Sequence, residues 1–592
     1  MTNSIEETKA EIIRAQKTGD YLKEYDLAQA ALRLNPNDEF LQYCSVQALS
    51  RCNAKERALD FFYFYMLNLS NNEYVRALEP RILKDLAFQS LDKEQSFHGL
   101  DKDKFKTAAD TYLRAFNKTG GHYSAINAAT LYLLSGERQQ AVELAKSAIE
   151  IAREDHGSPY FPLVTQAEAC LLLNRLDEAR GFIAEAAGHN ERNLLTRARN
   201  HRQLKLVCIY LGIDPEILDP LLPETVIHYC GHIFNRQRPL SESGEREIIQ
   251  RIENVISSRH CAVAYGSLAA GADIMFAEAI LKQGGELNIW LPFGMESFCD
   301  ELVRPYGEHW VQRFHDCIKK AHTVSCATES DFLGESSLFN FCADVAMGMA
   351  IMRANSLRAK LMQVAVWDQV VASQRSGTYT SIAKWKELGH HSEIIPSPAR
   401  LESYVRKTHG DSPENRREPH AILFADIRGF SKLGDRDVLW YFNVLQPELA
   451  KITGKFRSEI QHLDTWGDAI FLVTEKASVA ARIAVALNGV IAGIDQSCLG
   501  LDEPLQLRIG LHFGPVYKLY DHLAQSITYA SNDVTKTARI EPVTPPGEIF
   551  GTEPFVAMLE LEGEGWASFD YAGTISSAKN YGAFRMFHVR PK

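Results

Sequence analysis

Over its first 220 positions the chain places apolar residues at helical spacing, with alanine and leucine dominant and few β-branched runs. This predicts an almost wholly helical region, 1–220. Between 224 and 397 the rhythm changes. TVIHYC reads as a short buried strand ending at Gly231-His232, and GEREIIQRIENVISS as a helix. HCAVAYGSLAAGADIMFAEAILKQGGELNIWLPF then reads strand, glycine-containing turn, helix, strand. Such alternation predicts a parallel sheet covered by helices. Residues 407–419, KTHGDSPENRREP, are polar with two prolines and no apolar anchor, which is linker composition. From 420 to 592 strands and helices alternate again. AILFAD is a strand that breaks at Arg428-Gly429, and EIQHLDTWGDAIFLV is two strands joined by a tight turn at Trp466-Gly467.

Composition narrows the classes. Apolar content of 45% and charged content of 23% over 592 residues are those of a multidomain globular protein. A net charge of -11 argues against a protein that coats nucleic acid. Eleven cysteines without a C-x-x-C pair or metal-ligand spacing point to reduced thiols in a cytosol. The polar start MTNSIEETKAEIIRAQ is no secretory signal, and no apolar run approaches the roughly 20 residues that span a bilayer. The expected location is cytoplasmic.

Within 1–220, Gly19, Ala28 and Pro36 stand where a tetratricopeptide repeat places its small residue, packing alanine and helix stop. Asn53 and Ala58 begin a similar unit 34 residues after Gly19. Gly136, Ala141, Ala145 and Ala148, then Asn174 and Ala179, repeat the idea. The region resembles degenerate tetratricopeptide repeats, which implies an interaction surface for a protein or ligand signal. Residues 224–397 resemble Rossmann-like nucleotide sensors of the SLOG and TIR-like type. There, Gly266, Ser267 and Gly271 would let a ligand approach the start of the next helix, with Asp273 beside it. GSLAAGAD is not GxGxxG, so no dinucleotide is implied.

The strongest chemistry lies C-terminal. Asp426 ends one strand and Asp468 opens another; if the strands are neighbours, the carboxylates converge. Hard cations take such oxygen ligands together with substrate phosphates, and two ions between two aspartates can activate one oxygen and stabilise another. The stretch Ile427–Ser431 offers backbone N–H groups to phosphates.

F-A-D-I-R-G-F-S followed by T-W-G-D-A resembles the two metal motifs of class III adenylate and guanylate cyclases. LRIGLHFGPV (Leu507–Val516) resembles that family's central strand, and TKTARIE (Thr535–Glu541) the helix carrying its transition-state arginine. Lys579 stands close to the place of its triphosphate lysine. The resemblance implies an α+β, ferredoxin-like catalytic domain at 420–592. It also implies conversion of a nucleoside triphosphate to a cyclic monophosphate and pyrophosphate, with two Mg²⁺ or Mn²⁺ ions per site. Asp426, the Ile427 backbone and Asp468 would hold metal. Arg428, Gly429, Phe430 and Ser431 would cradle phosphates, and Arg539, Thr535 and Lys579 would be catalytic. The implied assembly is a homodimer with shared sites, neither membrane-bound nor nucleic-acid-binding. Residues 1–397 would regulate, leaving 418–592 active alone.

Departures matter. Thr535 replaces the family's ribose-orienting asparagine, and YKLYDHLAQSI replaces its glycines between Gly514 and Thr528. The base-reading positions are Asp464 and Thr528. An aspartate only accepts hydrogen bonds, so it cannot serve adenine N1 but can accept from guanine, cytosine or uracil. This leans away from adenine and slightly toward a pyrimidine, as in the bacterial anti-phage cyclases that make cyclic CMP or UMP. The alternatives are a purine cyclase, a non-catalytic nucleotide-binding regulator, and a hydrolase at 224–397 using Asp273 or Glu278.

Overall fold

The structure is a computed structural model. It describes residues 5–18, 21–52, 54–89, 101–155, 157–189, 194–222, 224–234, 240–329, 332–357, 359–369, 377–397, 416–501, 503–580 and 582–592. They form two compact units, Met1–Pro223 with Ser356–Ala359, and Glu224–Asn355 with Lys360–Lys592.

The described elements of residues 5–222 are helical, and consecutive helices pack on one another. Alanine is the contact residue because its small side chain lets helix axes approach. Ala28, Ala58, Ala145, Ala148 and Ala179 are fully buried, and Ala141 nearly so. Gly136 and Asn174 take left-handed backbone between helices, which ends one helix and reverses the chain. Gly19 and Asn53 lie outside the described residues.

The second unit holds two sheets. In the first, β1 (Thr225–Gly231), β2 (Cys261–Gly266), β3 (Glu286–Leu291), β4 (Thr323–Cys326), β5 (Leu361–Trp367) and β6 (Ser392–Pro396) run parallel in the order β4-β3-β2-β1-β5-β6. Helices on the connections bury apolar stripes such as Ile248, Ile252 and Ile256 against it.

The second sheet contains β7 (Arg417–Arg428), β8 (Ile460–Trp466), β9 (Ala469–Thr474), β10 (Gln506–Asp521), β11 (Ser526–Ala530), β12 (Ile549–Thr552), β13 (Ala567–Ser576) and β14 (Ala583–Pro591). Its order is β13-β14-β12-β10-β7-β9-β8, with β11 paired to β10. The helix Gln446–Lys455 joins β7 to β8, and Ala477–Gly493 joins β9 to β10. These six elements form β-α-β-β-α-β with the ferredoxin-like order 10-7-9-8.

Within this unit the sheets are bound together. Arg417 and Glu335 form a buried ion pair at 2.7 Å, and Ser337 Oγ donates to the Arg417 carbonyl at 3.1 Å. Phe341 packs on Phe513 at 5.6 Å between ring centroids. The segment read as linker thus ends differently: Arg417, Glu418 and Pro419 are strand, paired with Tyr517, Val516 and Pro515. The reason is non-local, since β10 supplies the partner. Residues 407–415 lie outside the described residues.

Candidate active site

Asp426 and Asp468 are brought together by adjacent antiparallel strands. Asp426 is near the end of β7, where Arg508 of β10 is its register partner. Asp468 occupies the two-residue turn between β8 and β9, after Gly467 with φ 68°. Such a turn requires positive φ, which glycine adopts at no steric cost. The backbone N–H groups of Asp468 and Ile427 favour the ionised Asp468 carboxylate. Burial, then the Asp426 charge, push the Asp468 carboxyl up to about 6. Two crowded carboxylates are the donor set a hard divalent cation would relieve. Among the described residues, no group of three or more His, Cys, Asp or Glu side chains forms a metal cluster. Two carboxylates would therefore leave the remaining ligands to backbone and substrate oxygens.

Two residues at this corner carried no sequence signal. Tyr441 is buried, packs edge-on against Phe430 at 4.9 Å and donates its hydroxyl to the Gly467 carbonyl at 3.2 Å. It thereby links the segment after β7 to the turn carrying Asp468. Glu541 is pushed up to about 7 by burial and then by Asp426, with Arg508 opposing.

The segment after β7 differs from the simple strand-to-helix turn expected. The strand continues through Arg428, Gly429 is left-handed, and Phe430–Lys432 form a three-residue 3-10 turn. Arg428 and Ser431 are exposed, and Arg428 pairs with Glu503 at 3.3 Å.

Arg539 and Thr535 lie on the helix Asn532–Ile540, capped by Ser531 Oγ, which accepts from the N–H groups of Asp533 and Val534. Thr535 is exposed, and its hydroxyl donates to the Ser531 carbonyl at 3.3 Å. Val534 and Ala538 pack on Ile422, Phe424, Phe471, Val473, Val516 and Tyr529.

The same helix is anchored by Asp533, whose buried carboxylate meets His512 Nε2 at 3.0 Å, Lys536 Nζ at 3.4 Å and the Thr328 hydroxyl at 3.2 Å. These partners hold its carboxyl below the usual range against the opposing effect of burial. Gly514 makes room: a Cβ there would stand 2.7 Å from Asp533 Cγ. Thr328 lies in the loop after β4, so that loop of the parallel-sheet region touches the arginine helix.

Lys579 is exposed in the turn between β13 and β14, with φ 59°. Neither Arg539 nor Lys579 forms an ion pair with a described carboxylate, and the structure does not join them to the aspartate corner. Asp464 is half-buried on β8, accepting the Thr465 N–H at 2.8 Å. Thr528 is half-buried on β11, which meets β8 where Tyr529 lies 5.7 Å from His462. No hydrogen bond joins Asp464 to Thr528. The missing glycines of the β10–β11 hairpin are replaced by Asp521, which accepts the N–H groups of Leu523 and Ala524, and by Gln525 at φ 53°.

Gly266 and Gly271, expected to border a ligand with Ser267 and Asp273, stand against the protein's own atoms. A Cβ at Gly266 would strike the Tyr229 ring at 2.6 Å, and one at Gly271 the His232 carbonyl at 2.8 Å. The glycines are required by this close packing. The Ser267 carbonyl accepts the Tyr229 hydroxyl, and buried Asp273 accepts the Ala269 N–H at 3.3 Å. Glu278 is no free acid either, since Arg313 grips it with two bonds of 2.8 and 2.7 Å.

This fold and corner are similar to a class III nucleotide cyclase catalytic domain. Residues 413–577 match the adenylate and guanylate cyclase catalytic domain, and residues 20–132 match the Tetratricopeptide Repeats-Sensor family. A putative serine/threonine-protein kinase/receptor of Acanthamoeba polyphaga mimivirus is 24% identical over 195 residues. That stretch is 29% of this chain and 12% of the relative's length. The guanylate cyclase domain of RhGC from Catenaria anguillulae, solved with GTP, is 21% identical, with 30% of this chain and 98% of that one covered and a TM-score of 0.25. The adenylyl cyclase CyaB from P. aeruginosa is 19% identical, with 30% and 95% covered and a TM-score of 0.26. No described helix is long and apolar enough to cross a membrane.

Proposed function

We propose that the chain is a nucleotide cyclase that converts a nucleoside triphosphate other than ATP, with a lean toward CTP or UTP, into its 3′,5′-cyclic monophosphate and pyrophosphate. The observation carrying this reading is the convergence of Asp426 and Asp468 at the corner of β7 and the β8–β9 turn. The 3′-oxygen of the ribose attacks the α-phosphorus, and the bond to the oxygen bridging the β-phosphate breaks. Asp426, Asp468 and the Ile427 backbone would hold Mg²⁺ or Mn²⁺, which when bound neutralises phosphate charge and favours the attacking oxygen. Arg428 to Ser431 orient the phosphates, Arg539 stabilises charge developing at the α-phosphate, and Lys579 holds the outer phosphates. Thr535 orients the ribose with a single hydroxyl.

The working species in this reading is a homodimer. Exposed apolar residues support it: Leu523 is 97% and Trp466 61% exposed, with Tyr520, Ile527 and Phe442 also open to solvent. Asp464 and Thr528 read the base, and the absent donor at Asp464 disfavours adenine. The parallel sheet is a Rossmann-like sensor domain in this account, its strand order reversing between β1 and β5. Cyclic pyrimidine signalling in anti-phage defence is the role that fits a non-adenine pocket.

Competition among equal concentrations of the four ribonucleoside triphosphates, with Mn²⁺ and product identification by mass, tests the base reading. Cyclic CMP or UMP should dominate. Dominant cyclic AMP would overturn the pocket and leave the cyclase, whereas cyclic GMP would move the reading to a purine enzyme.

A further inference from the structure

The interior of the helical unit holds a cluster of cations that the cyclase reading does not use. Arg51, Arg81, Lys84 and Arg199 come from three helices, Glu39–Arg51, Leu78–Gln89 and Leu194–Leu211. The Arg51 side chain is 10% exposed, and its Nε and Nη1 are buried without a hydrogen-bond partner. Its ion pair with Glu24 is long, at 3.7 Å. Arg81 buries Nε and Nη2 without a hydrogen-bond partner, and no described carboxylate lies at ion-pair distance from it. Burial holds the Arg199 guanidinium below its ordinary value, and the like charges of Arg51 and Arg81 push the same way against Asp85.

A buried guanidinium with orphan N–H groups is costly, because both its charge and its donors have lost water. Side-chain hydrogen-bond partners are built around Lys84. Lys84 donates to Asn127 at 2.6 Å and Gln203 at 2.8 Å, and Gln203 in turn donates to Glu168 at 2.6 Å. Glu24, Asp85 and Glu168 are the carboxylates facing the cluster, and burial pushes Glu168 toward its neutral form. Cationic charge is left in excess. The hydroxyls of Tyr123, Tyr43 and Tyr112 lie close enough to Arg81 to favour its charged form.

We propose that this interior is a binding site for a small phosphate-bearing anion, held by Arg51, Arg81 and Arg199. Planar guanidinium forks match phosphate oxygens two at a time, and an oxyanion would satisfy the orphan donors and the surplus charge together. The buried N–H groups of Arg51 and Arg81 select a small anion over a phosphorylated protein.

The test is calorimetric titration of the full chain with pyrophosphate, and separately with ADP, in EDTA so that no metal site contributes. The expected result is one site per chain. Arg81→Met and Arg199→Met should each weaken it by about tenfold to a hundredfold, the loss expected for a charge-assisted hydrogen bond. Lys579→Ala should leave it unchanged. Ligand-free Arg81→Met should melt no lower than wild type, since it removes a buried unpaired charge, which separates lost binding from lost folding. Tighter binding of ADP than of pyrophosphate would assign a nucleotide, and equal binding a simple phosphate. The proposal is overturned if wild type binds neither probe, if both methionine variants bind as wild type does, or if Lys579→Ala abolishes binding. None of these readings needs turnover, so the outcome is independent of the cyclase assignment.

Discussion

At the scale of single residues, Asp426 and Asp468 were legible because each sits in a local pattern, a strand ending in aspartate and a Trp-Gly-Asp turn. Asp426→Ala or Asp468→Ala should each reduce cyclic product formation to background, since each removes an oxygen ligand. Tyr441 was not legible, because an aromatic residue in a helix reads as core. Its hydroxyl nevertheless holds the turn that carries Asp468. Tyr441→Phe should lower kcat roughly fivefold, corresponding to about 1 kcal/mol for one hydrogen bond, with a smaller change in KM. Steady-state kinetics at saturating Mn²⁺ checks this. Gly266 and Gly271 show a related limit of local pattern, since each stands against the protein's own atoms. Sequence shows that a glycine is required but not whether a ligand or the protein's own backbone fills the space.

At the scale of elements, the helix Asn532–Ile540 gathers most of the account. Its arginine was readable from the TKTARIE pattern, while its anchor was not: Asp533 meets His512 from β10 and Thr328 from the loop after β4. Thr328→Val leaves one oxygen of a buried carboxylate without that donor. It should destabilise the second unit by about 1–3 kcal/mol and lower kcat more than KM. Melting curves beside kinetics separate the two effects. β1 supplies a pH prediction. His228 is buried beside Gln363 and Trp385, and burial lowers its pKa from the ordinary 6.5 to about 3. The unfolded chain therefore binds the proton first, so stability is lost as pH falls from about 6.5 toward 3. The loss is on the order of 4 kcal/mol by pH 3. His228→Leu should flatten this slope in melting temperature against pH.

At the scale of the whole molecule, the order of helical region, parallel sheet and catalytic sheet was visible in the change of hydrophobic period. The joining of the two sheets was not, because Arg417–Glu335 and Phe341–Phe513 are long-range contacts between segments that each look self-sufficient. This changes one expectation. A fragment 418–592 lacks Arg417 and leaves Phe513 without its partner, so it should melt lower than 224–592 or aggregate. Calorimetry of the two fragments decides it. The proposed homodimer makes a further prediction: Asp468→Ala and Arg539→Ala chains, each inactive, should recover activity when mixed, because one site per heterodimer is intact.

The central claim is tested most directly by incubating the full chain with Mn²⁺ and each of the four ribonucleoside triphosphates, measuring cyclic nucleotide and pyrophosphate by mass beside Asp426→Ala. The account predicts equal amounts of a 3′,5′-cyclic monophosphate and pyrophosphate from at least one triphosphate, and neither from the variant. Absence of cyclic product from all four by a folded dimer, or undiminished product from Asp426→Ala, would contradict it.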